Sequence, residues 1–401
     1  MKEKKILFIS PTPTHPTNAG NRQHIKSLVS FFKEQNWEVH FLYLAYEDFN
    51  YEGMYSFFGN NLHVVSKAEL YQNRKTIDYV TKKLYGIFFR FIRKFQYNLG
   101  SITKNQFIYN SEVDYNFSVF VKPIINALQK EHDFTVVVCE YAFVSKSLEL
   151  FDKSVFKILD THDRFTNRYQ TYLNNKSKPS WVSLFEKQEK KALKRADLIL
   201  AVNQNDAEYF SKLSGKKTLI FNYIPEIVKL PKKLPGKKLL YIASANDINL
   251  VTITLFIEKI FPLILKQHPG TTLIIGGSIC EKLTVQHSNI FIKGKFENLA
   301  SFYSSGDIVI NPEISGTGYK IKAMEALSYG MPLVATRDGA AGAIHPDMQH
   351  LIMVENEDDF AKAVIHLLEH PEKLETLHIN AHEWIKNWKH NIEKDLKEVL
   401  A

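Results

Sequence analysis

"KKILFISPTPTHPTNAGNRQHIKSLVSFFKEQNWEVHFLYL", Lys4 to Leu44, decides the fold class. "KKILFIS" is a continuous apolar run, as expected for a strand buried in a parallel sheet. A Pro/Thr loop follows, then a helical pattern with Ile25, Leu28, Val29 and Phe32 on one face, then the strand "WEVHFLYL". Strand, crossover helix and parallel strand make the basic α/β unit. Further strands read at "TVVVCE", "FKILDTHD" and "ADLILAVN", with the helix "SLFEKQEKKALKRA" before the last.

"FNYIPEIVKLPKKLPGKK", 221–238, interrupts this series with three prolines and a lysine cluster, and reads as a linker. A second series begins after it: "KLLYIAS", a helix over Thr252–Gln267, "TTLIIGG", "IFIKG", "DIVINPE", a helix after Gly318, and "PLVAT". The chain ends in a helix, 381–401. Two such series predict two Rossmann-like doubly wound domains, 1–220 and 239–380, facing an interdomain cleft. Ligands bind beyond the carboxyl ends of strands in such sheets. The loops after Ser10, Glu140, Asp160, Ser244, Gly277 and Glu313 are therefore the ones to search.

Composition narrows the function classes. At 401 residues the chain is too long for one ordinary core, and 45% hydrophobic with 23% charged residues describes a globular protein. Its two cysteines cannot form a framework; Cys139, inside an apolar run, reads as a core thiol suited to the cytoplasm. No signal peptide and no run of about 20 apolar residues is read. A net charge of +8 admits anionic partners without choosing among them. No nucleic-acid-binding motif accompanies it, so no nucleic acid is expected.

Residues 70–120 leave the alternation. From Ile77 to Phe95 a helical projection aligns Ile77, Val80, Leu84, Ile87, Phe88, Phe91 and Phe95, with Lys82, Lys83, Arg90, Arg93 and Lys94 off that stripe. Two readings stay open. One is a helix packed by its stripe on its own domain. The other is contact with an anionic membrane surface or a lipid-linked acceptor, at the inner face of the membrane.

Candidate chemistry lies at the strand ends. In "SGTGYKIKAMEAL", Ser315 to Leu327, Lys320 and Lys322 open a helix. A cation there opposes the helix dipole by about 0.3–1 kcal/mol, so the pair needs solvation or an anion. Gly316 and Gly318 allow close backbone approach, and a phosphate on the helix N-terminus would satisfy both lysines. The G-x-x-x-x-G-K-S/T spacing of a P-loop is absent. Glu140, Asp160, His162, Asp163 and Arg164 end two first-domain strands, where acid–base or orienting groups belong; loop hydrogen bonding and turn capping are the plainer alternative. There is no D-x-D pattern, and no His/Cys cluster has ligand spacing, so neither metal nor cofactor is expected.

"NPEISGTGYKIKAMEALSYGMPLVATRDGAAG" resembles the donor-site signature of retaining GT-B glycosyltransferases of family 4. "YIASANDINLVTITLFIEKIFPLILKQHPGTTLIIGG", "RADLILAVNQNDAEYF" and "SPTPTHPTNAGNRQHIKSL" extend the likeness over most of the chain, apart from 60–130. The resemblance implies the GT-B fold, with the C-terminal helix crossing back to the first domain. It implies a nucleotide-sugar donor, a glycan or lipid-linked acceptor, and transfer in surface glycan synthesis. Carried over by position, Glu325 would bind the ribose, and Gly316, Thr317 and Gly318 would face the sugar and diphosphate. Gly20 and Arg22 would close from the first domain. Thr317 stands where the family often has a glutamate. "ASANDIN", with Ser244, Asn246 and Asn249, stands where it often has Arg and Lys, so Lys320 and Lys322 become the diphosphate counter-charges. His162, Asp163 and Glu140 are the catalytic candidates. A non-catalytic nucleotide-sugar binder and a GT-B phosphorylase or epimerase are the alternatives.

Overall fold

A computed structural model describes residues 4–17, 19–71, 77–100, 102–114, 117, 121–174, 178–179, 181–231, 236–296, 298–313 and 319–400. The chain divides into two units, Met1–Tyr223 and Ile224–Ala401.

The first unit is built on a seven-stranded parallel sheet. Its strands are β1 (Lys5–Ser10), β2 (Glu38–Leu44), β3 (Leu62–Val65), β4 (Val136–Glu140), β5 (Phe156–Asp160), β6 (Leu198–Ala201) and β7 (Lys217–Ile220). Their order is β3-β2-β1-β4-β5-β6-β7. Central strands are mainly apolar because both faces are covered: Leu7, Ile9, Leu42, Val137, Cys139 and Leu159 lie in one core layer, and the alternate Ile6, Phe8, Phe41, Val138 and Ile158 are buried too. Register aligns Ile9 with Cys139 and Glu140 with Asp160, so the carboxyl ends of β1, β4 and β5 share one rim. Chain order reverses between β1 and β4, which opens a crevice at that rim.

The second unit repeats the plan with six parallel strands: β8 (Lys238–Ile242), β9 (Thr272–Gly276), β10 (Ile290–Gly294), β11 (Ile308–Asn311), β12 (Leu333–Thr336) and β13 (Ile352–Val354). Their order is β10-β9-β8-β11-β12-β13, with the switch between β8 and β11. The helix after β8 starts at Asp247, five residues before the expected Thr252, because the Asn246 side chain accepts a hydrogen bond from the Asn249 N–H and caps it. Its ladder widens to a π turn over Phe256–Ile260 just before Pro262, whose nitrogen cannot donate. Contrary to the expectation from composition, Asp247–Gln267 is long and apolar enough to cross a membrane. Its Ile253, Phe256, Ile260 and Ile264 nonetheless pack in the unit's own core.

Two helices differ from expectation. The terminal one is longer, running from Pro371 to Leu400, and its Ala381 and Ile385 belong to the core layer that holds Met324 and Leu327. The other runs from Ile77 to Asn98. Leu84, Ile87, Phe88, Phe91 and Phe95 are all exposed, Phe91 at 71%. Packing of this stripe on its own domain is therefore wrong for these residues. Arg93 docks the helix from the other side, donating to the Asn110 carbonyl at 2.8 Å, pairing with Glu112 at 3.3 Å and covering the Phe185 ring. Ile77, Val80, Lys82, Lys83 and Arg90 have side chains outside the described set.

Candidate functional site

Each unit gathers polar groups at the rim where its chain order switches. In the second unit the turn Gly316, Thr317 and Gly318 lies outside the described residues. Lys320 is not in the first helical turn; it caps the helix Ile321–Ser328 with extended backbone, and its N–H donates to the Ala341 carbonyl. Its ammonium meets Glu313, just beyond β11, at 2.6 Å. Lys322 reaches the other oxygen of the same carboxylate at 3.1 Å and donates to Asn249 Oδ1 at 2.8 Å. Asn249 in turn donates to the Ser244 carbonyl at 2.9 Å, and Asn246 to Ser244 Oγ at 3.3 Å.

Ser244, Asn246, Asn249, Lys320 and Lys322 are thus brought together. The residue that joins them is Glu313, which the sequence shows only as the end of a strand. Two ammoniums share one carboxylate, so the cluster carries one positive charge more than it neutralises. Burial pulls the Lys322 pKa below its usual value and the neighbouring Lys320 adds to that, with Glu313 opposing. An anion bound here would relieve that strain. Lys322 keeps 21% of its side chain exposed, which leaves it a route to one. Glu325, one turn along the same helix, is buried. Beside the cluster, Gly277 has φ +92°, and a Cβ there would meet the Ala243 carbonyl oxygen at 2.2 Å, so only glycine fits.

The first unit assembles a buried acid–imidazole chain. Asp160 accepts from His24 Nε2 at 2.7 Å, and Glu140 accepts from His162 Nε2 at 2.7 Å. Burial, and then the Asp160 charge, push the Glu140 carboxyl well above its usual pKa. Burial alone would raise Asp160 too, but His24, His162 and the Glu140 hydrogen bond outweigh it and hold it low. The two neighbouring carboxyls are thus driven in opposite directions, Glu140 up and Asp160 down. Burial, with His24 adding to it, drops His162 to about 3, so its ring is neutral. Tyr141 stacks on that ring at 4.0 Å and takes a hydrogen bond from Asn21 at 3.0 Å. Both Tyr141 (φ +72°) and His162 (φ +60°) have left-handed backbone. Such strain is of order 1–3 kcal/mol each and persists only where the surroundings enforce it.

Asp163 does not join this chain; it is 48% exposed and pairs with Arg168 at 2.9 Å. Arg164 lies over the Tyr209 ring. Gly20 opens the helix Gly20–Glu34, and Arg22 two residues on is held by Glu47 at 2.7 Å and by the Pro16 and Asp48 carbonyls. His24 was not read from sequence: it falls among the apolar positions of that helix, where a histidine looks like core. His24, Asp160 and His162 also have ligand atoms close enough to hold a metal, though all three are buried and already hydrogen-bonded.

Comparison with known proteins gives the family context. Over 149 residues the chain is 27% identical to an uncharacterized 44.6 kDa protein in the cps region of Klebsiella pneumoniae, spanning 34% of this chain and 38% of that one. The pneumococcal O-GlcNAc transferase GtfA, solved with UDP and GlcNAc, superposes with a TM-score of 0.62 at 12% identity, covering 100% of this chain and 99% of that one. A mutant of S. aureus TarM, solved with fondaparinux, α-GlcNAc-glycerol and UDP, gives 0.61 at 14% identity, covering 99% of each chain. Residues 236–370 match the family described as glycosyl transferases group 1, and the whole chain has the two-sheet α/β architecture of GT-B glycosyltransferase structures.

Proposed function

We propose that this protein is a glycosyltransferase that moves a sugar from a nucleotide-sugar donor to a hydroxyl of a glycan or lipid-linked acceptor. The observation that carries the reading is the unbalanced Lys320–Glu313–Lys322 cluster at the switch point of a glycosyl transferases group 1 domain. It suits a diphosphate, and GtfA and TarM are solved with UDP. In the retaining form of the reaction the bond from the anomeric carbon to the diphosphate breaks. The acceptor oxygen then bonds to that carbon on the same face, and its proton passes to the departing phosphate. Lysines and amides meet the charge on the leaving group. Glu325 binds the ribose, and His162, held by Glu140, orients the acceptor. Assay of labelled sugar transfer from nucleotide sugars to bacterial surface glycans tests this. A protein that binds donor yet releases no diphosphate with any acceptor is the non-catalytic binder instead.

Without a D-x-D pattern the chemistry is expected to need no divalent ion. Transfer should persist in excess EDTA at temperatures where the fold is intact. Complete loss restored by magnesium or manganese would mean that a catalytic ligand set exists.

The exposed Leu84, Ile87, Phe88, Phe91 and Phe95 of the Ile77–Asn98 helix suit the acyl boundary of a lipid surface, with Lys94, also exposed, available to headgroups. Each basic residue near an anionic surface adds roughly 1 kcal/mol. Phe88→Ser with Phe91→Ser should abolish co-sedimentation with anionic vesicles and leave donor binding unchanged. If the native protein ignores such vesicles at low salt, the stripe has another use.

A further inference from the structure

Four side chains from three parts of the first unit converge near the amino ends of its strands. Glu38 opens β2, and His40, two residues on, shares its face. His132 directly follows the helix Val121–Glu131, and His63 comes from β3. Glu38 Oε1 lies 2.8 Å from His40 Nε2. One ligand atom from each of Glu38, His40 and His132 lies within 4.8 Å of the other two. The His40 and His132 rings are 4.1 Å apart, and Phe134 closes over His40 at 5.2 Å. None of this touches the rim described above: Glu38 pairs with Lys5 at the start of β1, whereas Glu140 ends β4.

We infer that Glu38, His40 and His132 form a site for a divalent transition metal of the zinc type, with His63 as the group that orients His40. Two imidazoles and one carboxylate suit zinc, and leave a fourth position to water. Zinc–ligand distances of about 2.0–2.2 Å require ligand atoms roughly 3.3 Å apart. His40 is buried and fixed, while Glu38 and His132 are partly exposed and free to close the remaining gap. Glu131 reaches the His132 ring at only 4.0 Å, so little holds it elsewhere. Lys5 takes the second Glu38 oxygen at 3.1 Å, leaving the first to the metal.

His63 supplies the supporting contact that ligating histidines need. Its Nε2 lies 3.2 Å from His40 Nδ1. With metal on Nε2, His40 carries its proton on Nδ1 and donates it to His63, which fixes tautomer and ring plane. The ion would tie β2 to the end of the helix before β4, a structural role separate from transfer.

The test uses the untagged full chain, stripped with chelator and titrated with Co²⁺ and then Zn²⁺. One Co²⁺ per chain should bind with visible d–d absorption, and Zn²⁺ should displace it and raise the Tm. His132→Gln and Glu38→Gln, at partly exposed positions that leave the core intact, should abolish the absorption and the Tm shift. His63→Gln should weaken binding about 10–100-fold. Because His24, Asp160 and His162 also have ligand spacing, His162→Gln is the control, and it should retain the signal. Absence of binding overturns the assignment. So does binding that survives both His132→Gln and Glu38→Gln, or that disappears in His162→Gln alone.

Discussion

Lys322→Ala weakens nucleoside-diphosphate binding by about 1.5–3 kcal/mol, the worth of a charge-assisted hydrogen bond, or roughly 10–150-fold in Kd. Lys320→Ala costs at least as much. Lys320 is the closer partner of Glu313, and without it a buried carboxylate faces the incoming phosphates with one counter-charge instead of two. Glu313→Gln separates the terms: it removes the competing anion and should leave diphosphate affinity unchanged or tighter. Calorimetric titration with nucleoside diphosphates reads all three. Unchanged affinity in both lysine variants would make the cluster a purely internal ion pair.

Asp160→Ala should cost the first unit about 3–5 kcal/mol, because removing one member of a buried charged set strands the others. His24 Nε2 loses its buried acceptor at 2.7 Å, and the His162 ring loses the second carboxylate, 3.9 Å away. At roughly 2–4 °C per kcal/mol for a unit of this size, the melting transition falls by about 6–20 °C. Asp160→Asn, which keeps the shape and an acceptor oxygen for His24, should lose less. Thermal unfolding followed by circular dichroism decides it. A change of under about 2 °C in Asp160→Ala would mean that the acid–imidazole chain is not coupled as its distances indicate. A double-mutant cycle with His24→Ala should then show no interaction energy.

Much of the fold was legible because central parallel strands are apolar without interruption: "ILFIS", "TVVVCE" and "LLYIAS" need no tertiary information. The strands not read, β3, β7 and β13, are three or four residues long and lie at sheet edges, where burial no longer writes a continuous pattern. The Ile77–Asn98 helix shows a different limit. Periodicity gave its stripe but not which side of the stripe would be covered, and Arg93 settled that through Glu112 and Phe185.

At the sites, legibility followed locality. Ser244, Asn246, Asn249, Lys320 and Lys322 sit in stretches with recognisable order, and the structure joins them. Glu313 could have been suspected as a carboxylate at the end of an apolar strand, but pairing it with two lysines needs three-dimensional proximity. His24 is hidden by its apolar neighbours, and Asp163, though adjacent to His162, turns away to Arg168. Glu38 and His40 stand two apart on one strand face, but His63 and His132 come from other parts of the chain, so their meeting needs the fold.

The claim that this chain binds a nucleotide sugar through the Lys320–Glu313–Lys322 cluster is tested most directly by thermal shift against a panel of nucleotide sugars. A donor at 100 times its Kd stabilises the protein by about 2.7 kcal/mol. At least one nucleotide sugar should raise the Tm of the wild type, and the Lys320→Ala, Lys322→Ala double variant should lose that rise. No shift with any nucleotide sugar at saturating concentration, or an equal shift in wild type and double variant, would contradict it.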